Sequence, residues 1–108
     1  MPDYFYTTGG FTFQWDDDKN KINIKKHGID FETAALVFND DLRLEIKDRK
    51  HPDENRFITI GLVYDVLFVS YCDRINSDTG NTDIRIISAR LADEREIKAY
   101  NNNILGRI

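Results

Sequence analysis

A change of hydrophobic period at Asn39-Asp40-Asp41 is the strongest constraint on the fold of this chain. Upstream of it, apolar residues recur at i, i+3, i+4 and i+7, which indicates one buried stripe on a helix. They are Phe31, Ala34, Ala35 and Phe38. Downstream, apolar and charged residues alternate from Leu42 to Lys47, which indicates a strand with one buried face. A helical segment followed by strands favours an α+β fold.

Local signals set the ends of two N-terminal helices. Asp16 is a good N-cap and Gly28 suits a left-handed C-cap, so the first helix is predicted to run to about His27. Asp30 has the same capping role for a second, short helix that ends at Asn39-Asp40-Asp41. Both helices therefore precede the main strands.

Strands account for most of the remaining chain. Phe11–Trp15 is a short aromatic strand, and further runs of strand length are Leu42–Lys47, Arg56–Tyr64, Val66–Cys72 and Asp83–Ala89. The short joint at Asp65 predicts a hairpin. Asp93 and Glu96 have the spacing of a capping box, which predicts a C-terminal helix to about Asn101. We therefore predict a small antiparallel sheet of about four strands, with all three helices packed on one face.

Length and composition indicate a single domain. The chain has 108 residues, of which 41% are hydrophobic, enough for one core. Residues 1–10, which end in Gly9-Gly10, are predicted to be a flexible N-terminal arm, and residues 11–108 the domain. No membrane span or signal peptide is visible, and Cys72 alone can form no intramolecular disulfide. These features predict a soluble, cytoplasmic protein without a membrane partner.

The net charge of −4 argues against a protein that coats nucleic acid, because non-specific binding depends on neutralising phosphates with Lys and Arg. A local basic site could still act on RNA, since a few well-placed cations matter more than the total charge. An acidic surface also suits a basic partner. The charge therefore excludes a general nucleic-acid binder more firmly than a nuclease.

Metal and cofactor sites are not indicated by the sequence. His27, His51 and Cys72 do not have the spacing of a ligand set, and no phosphate-binding glycine loop is present. Two acidic clusters, at residues 16–18 and 39–41, fall at predicted helix ends, where capping explains them. We therefore predict no metal and no cofactor.

Two arginines bracket the last strand. In a regular strand Arg85 and Arg90 would face opposite sides of the sheet, and they share a face only if the strand ends or bulges near Ser88. An ion pair with Glu94 or Glu96 is the structural alternative for Arg90. The first helix carries a partly polar stripe, formed by Asn20, Asn23, Ile24 and His27. This stripe has two interpretations: it lines a cleft, or it binds backbone groups of the adjoining loop.

Two blocks of the sequence are distinctive: Lys26-His27-Gly28 and Arg85-Ile86-Ile87-Ser88-Ala89-Arg90. Further matching residues surround them over roughly residues 13–101: Trp15-Asp16, Lys19, Asn23, Phe31-Glu32, Ala34, Val37-Phe38, Arg56, Ile60-Gly61, Glu96 and Tyr100. In this order they resemble the BrnT family of bacterial type II toxins. The chain departs from the family pattern at Asp41, where proline is common, in a longer loop at Asp73–Thr82, and in residues 1–10. Because these departures lie in loops and in the N-terminal residues, they affect access of the substrate and fit of the partner more than the fold.

The resemblance implies a metal-independent endoribonuclease with a RelE-like fold, which inhibits translation and growth and is neutralised by a BrnA-like antitoxin. The hetero-oligomeric complex would repress its own operon, with the antitoxin contacting the DNA. The implied site residues are Lys26, His27, Arg56, Arg85 and, more weakly, Arg90. His27 would act as acid or base, with Lys26 and the arginines near it on the RNA phosphate.

Two other functions are compatible with the sequence. The chain could be a catalytically inactive binding module whose acidic surface engages a basic antitoxin-like partner. It could also be a transcriptional co-repressor that acts only in complex with its antitoxin; DNA binding by the isolated chain is disfavoured by its charge. Growth arrest and RNA cleavage separate the toxin from both alternatives.

Overall fold

The computed structural model describes residues 3–51 and 55–106. Within them the chain forms an α+β fold, as predicted, with a six-stranded sheet and three α-helices. The elements in chain order are β1 (Asp3–Thr8), β2 (Phe11–Asp16), α1 (Asp17–His27), α2 (Phe31–Ala35), a 3-10 turn (Leu36–Asn39), β3 (Leu44–Lys47), β4 (Arg56–Val63), β5 (Asp65–Ile75), β6 (Thr82–Leu91) and α3 (Glu94–Leu105). No helix in the described part of the chain is both long and apolar enough to cross a membrane.

The helices begin at the predicted residues. The Asp16 carboxylate accepts from the backbone of Asp18 and Lys19, and Gly28 ends α1 at a φ of 71°. The Asp30 side chain caps α2 in the same way. The capping box of α3 is present, but the helix continues to Leu105 rather than ending near Asn101. Capping predicts where a helix starts more reliably than where it ends, because packing decides the later turns.

The sheet differs from the prediction in size and direction. Its strand order is β1-β2-β6-β5-β4-β3, and β2 pairs with β6 in parallel while the other neighbours are antiparallel. The prediction of about four antiparallel strands was therefore wrong. Alternation along one strand identifies its faces, but it carries no information about which distant strand lies beside it.

Residues 3–8 belong to the predicted flexible arm, but in the structure they form β1. Each of its residues pairs with β2 across the turn at Gly9-Gly10, where both glycines have positive φ. Glycine adopts that backbone conformation without steric cost, so a tight hairpin can form here. The polar composition that suggested an arm suits an edge strand with one exposed face.

Helices pack on both faces of the sheet. On the first face, α2 and the 3-10 turn bury the predicted apolar stripe against β2, β5 and β6 around Phe13, Trp15 and Val69. On the other face, α3 lies over Ile46 and Ile60. The expectation of helices on one face was wrong, and Ile46 remains 42% exposed because β3 is an edge strand.

The polar stripe of α1 holds the helix against the rest of the domain through hydrogen bonds to backbone groups. Asn23 is buried; its Nδ2 donates to the carbonyls of Ile29 and Ala89, and its Oδ1 accepts from the Ala89 amide. The Asn20 side chain accepts from the Phe31 amide. These bonds attach α1 to β6 and to the following loop, so the backbone-binding interpretation of the stripe is confirmed.

Candidate active site

A cationic cleft of about 400 Å³ opens on the sheet face that carries α3, beyond the area that this helix covers. Its lining residues are Lys19, Arg56, Cys72, Asp73, Arg74, Arg85 and Ile87. Four of these are cations and one is a carboxylate, although the whole chain has a net charge of −4. Positive charge is therefore concentrated at this cleft.

Strand register positions the cleft residues. Arg56 on β4 lies opposite Cys72 on β5, and Cys72 lies opposite Arg85 on β6. Residues directly opposite each other in neighbouring strands project from the same face, so Arg56 and Arg85 flank Cys72. Arg74 is two residues beyond Cys72 on the same strand and shares that face. Three adjacent strands thus each supply a cation to one surface.

A β-bulge in β6 decides which way the two arginines of this strand face. Ser70 lies opposite Ser88, but the next residue of β5, Tyr71, lies opposite Ile86, so Ile87 is the extra residue. As a consequence Arg85 and Arg90 lie opposite Cys72 and Phe68, which are four residues apart on β5 and share a face. The bulge near Ser88 that places both arginines on one face is therefore present.

Arg90 nevertheless has a different environment from Arg85. Its two terminal nitrogens donate to the Glu96 carboxylate at 2.8 and 2.9 Å, and its guanidinium lies 3.9 Å from the centroid of the Phe68 ring. The hydrogen bond with Glu96 raises the pKa of Arg90 and lowers that of Glu96. This is the ion pair expected as the structural alternative, and Arg90 does not line the cleft. Its proposed contact with RNA stays a prediction.

A chain of polar side chains lies behind Arg85. Its Nη1 donates to Gln14 Oε1 at 2.9 Å, and Gln14 Nε2 donates to Asp83 Oδ2 at 3.3 Å. Asn76 Nδ2 donates to the same oxygen at 3.0 Å. Both Gln14 and Asp83 are buried. This series of hydrogen bonds was not predicted, because its only signal in the sequence is polar residues within strands whose pairing was not predicted.

Lys26 and His27 do not line the cleft; both lie exposed in the last turn of α1. The helix contributes Lys19 from its first turn instead. The reason is topological: α1 directly follows β2, whose Gln14 lies beside Arg85, so the start of the helix is near the cleft. His27 is eight residues beyond Lys19, roughly 12 Å along the helix axis. The sequence expectation that Lys26 and His27 meet the arginines is not met within this cleft.

The described residues contain no group of three or more His, Cys, Asp and Glu side chains arranged to hold a metal ion. Four of the five charged residues that line the cleft are cations, which suit an anionic ligand. Arginine can bind phosphate oxygens through two parallel N–H bonds, and lysine through its point charge. The arrangement is therefore suited to a phosphodiester.

Residues 15–96 match the family model of BrnT, the ribonuclease toxin of type II toxin–antitoxin systems. The chain belongs to the BrnT family. Among individually curated proteins, none matches the sequence. The matched segment contains the four cations of the cleft, whereas β1 and most of α3 lie outside it. A BrnT toxin belongs to a type II system, so an antitoxin protein is its partner.

Proposed function

We propose that this BrnT-family chain is a metal-independent endoribonuclease that binds the RNA backbone in the cleft between β4, β5 and β6. The observation that carries the proposal is the set of four cations in one cleft of an acidic chain. A local positive field attracts the phosphodiester where it is to be cleaved, while the negative remainder repels long nucleic acids elsewhere.

The chemistry needs no metal. The 2′-oxygen attacks the adjacent phosphorus, the bond from phosphorus to the 5′-oxygen breaks, and the products are a 2′,3′-cyclic phosphate and a 5′-hydroxyl. A base accepts the 2′-hydroxyl proton, and an acid or water supplies a proton to the leaving 5′-oxygen. Arg56 and Arg85, with Lys19 and Arg74, would stabilise the charge that develops on the phosphorane oxygens.

The remaining parts of the proposal follow from family membership. The partner would be a BrnA-like antitoxin that blocks the cleft and forms a hetero-oligomer, and only this complex would contact operator DNA. Free toxin would cleave RNA in the cytoplasm and stop translation and growth. A RelE-like fold is compatible with the mixed sheet and its helices. Lys26, His27 and Arg90 remain candidates for contact with RNA.

The test is induction of the chain without its partner, followed by measurement of growth and of total RNA. Arg85→Ala should relieve growth arrest, whereas Arg95→Ala, which removes an exposed arginine from α3, should not. Purified wild-type chain should cleave RNA equally well with and without EDTA. Absence of both growth arrest and cleavage from a folded chain would favour the inactive binding module instead.

A further inference from the structure

We propose that His51, oriented by Asp48, transfers the proton when RNA bound in the arginine cleft is cleaved. The inference rests on the proposed ribonuclease function and names a residue that the family resemblance did not suggest. His51 is one of two histidines in the chain; the other, His27, lies in the last turn of α1 and does not line the cleft.

The pair has the geometry of a histidine held by a carboxylate. His51 Nδ1 lies 3.1 Å from Asp48 Oδ2, and the Lys50 amide donates to the other carboxylate oxygen at 2.9 Å. Asp48 is 8% exposed, whereas the His51 side chain is 44% exposed. An ionised carboxylate only accepts hydrogen bonds, so Nδ1 carries the proton and the neutral ring is basic at Nε2.

Backbone pairing connects this pair to the cleft. The Asp48 amide donates to the Arg56 carbonyl at 3.0 Å, which continues the β3–β4 ladder and sets Asp48 opposite Arg56. The hydrogen bond from His51 lowers the pKa of Asp48 against the opposing effect of burial, and the Lys50 amide and the positive charge of Arg56 lower it further. His51 and Arg56 therefore act on the same carboxylate, and Arg56 lines the cleft. Among the described residues, Asp48 contacts the histidine ring, Arg49 and Lys50 lie in the same loop, and Arg56 lies opposite Asp48 on β4.

This placement gives the histidine a defined step. As the 2′-oxygen bonds to phosphorus, His51 Nε2 accepts the 2′-hydroxyl proton, and the phosphorus–5′-oxygen bond breaks. Water supplies the proton to the 5′-oxygen, and the hydroxide that remains takes the proton from the His51 imidazolium, which restores the base. Asp48 stabilises the imidazolium that forms. The Asp48–His51 pair would then supply the base and the arginines the charge stabilisation.

The experiment measures cleavage of total RNA by purified chain between pH 5 and 9. His51→Ala should slow cleavage roughly 100-fold or more, the range for loss of a general base, and added imidazole should restore part of the rate. The control Arg95→Ala, which removes an exposed cation of α3, should stay within about twofold of wild type. His51→Asn, which retains a donor for Asp48 but cannot titrate, should be as slow as His51→Ala.

The Asp48→Asn variant distinguishes a role of Asp48 in orienting His51 from a role in the stability of the fold. Asparagine retains an acceptor for the Lys50 amide but removes the negative charge beside the imidazole. The acidic limb of the pH–rate profile should move to lower pH and the maximum rate should fall, with an unchanged melting temperature. Wild-type rates for both His51 variants, with Arg85→Ala inactive, would overturn this inference and leave the proposed function intact. A wild-type chain that cleaves no RNA overturns both.

Discussion

Arg85 Nη1 donates a hydrogen bond to Gln14 Oε1 at 2.9 Å, and this contact joins two residues that are 71 positions apart in the chain. It connects a cleft cation to a buried glutamine whose amide nitrogen is bound by the buried carboxylate of Asp83. An amide bound at both ends has one orientation, so the guanidinium has a fixed acceptor. The buried residues Gln14 and Asp83 therefore help to fix the position of Arg85 in the cleft.

Removal of that acceptor should weaken cleavage without abolishing the fold. Gln14→Leu removes both hydrogen bonds, so Arg85 becomes less ordered and Asp83 loses one donor. A net loss of about 1–2 kcal/mol corresponds to roughly tenfold slower cleavage, measured as kcat/KM on total RNA. Thr12→Val, two residues earlier on β2, is the control and should retain the wild-type rate. Equal rates for both variants would show that Gln14 does not position Arg85.

Asp73 is the one carboxylate among the described residues of the cleft lining, and its removal should strengthen the binding of RNA. Asp73→Asn removes negative charge from the cleft, so RNA should bind about two- to fivefold more tightly at low salt, a modest effect because the residue is exposed. Arg74→Ala should weaken binding and lower the salt-dependence slope by roughly one phosphate contact. Titration of catalytically inactive chain with RNA at several salt concentrations measures both. Identical affinities for the two variants would contradict an RNA-binding role for this cleft.

The Arg90–Glu96 pair should contribute to stability. Both terminal nitrogens of Arg90 bind the carboxylate, a bidentate geometry stronger than that of ordinary surface pairs. A double-mutant cycle with Arg90→Ala and Glu96→Ala, followed by urea unfolding, should give a coupling energy of about 1 kcal/mol. The hydrogen bond from Arg90 lowers the pKa of Glu96, so this stability is present above about pH 4.3 and lost as pH falls further. Coupling near zero at pH 7 would remove the structural explanation for Arg90.

Tyr100 should make stability depend on alkaline pH. Its hydroxyl donates to Asp40 Oδ2 at 2.5 Å, and desolvation together with this contact raises the pKa of Tyr100 to about 12. An unfolded tyrosine has a pKa of about 10, so the contribution is full below pH 10 and lost as pH rises toward 12. Tyr100→Phe should lower the free energy of unfolding by about 1–2 kcal/mol at pH 7. The variant should also lose less of its free energy of unfolding than the wild type between pH 10 and 12. The measurement is urea unfolding across pH; parallel curves for both proteins would contradict the role of this hydroxyl.

The resemblance to the BrnT family predicted part of the candidate site. Arg56 and Arg85 were both recognised, and both line the cleft. Lys19 was noted only as a matching residue, and Arg74 was not assigned to the site. Their place in the cleft depends on the parallel β2–β6 pairing and on the continuation of β5 to Ile75, into the predicted loop. Neither feature leaves a pattern in the nearby sequence, because strand partners are chosen by long-range packing.

Local sequence signals were sufficient to place the helix starts at Asp16, Asp30 and Asp93 and the β4–β5 hairpin, because capping and tight turns involve atoms only a few residues apart. Long-range packing, in contrast, brings residues 3–8 into the sheet and β2 beside β6. It also decided that a bulge at Ile87 turns Arg85 and Arg90 to one face. The physical reason is that these features minimise the free energy of the whole packed sheet, in which each strand buries its apolar face against distant residues.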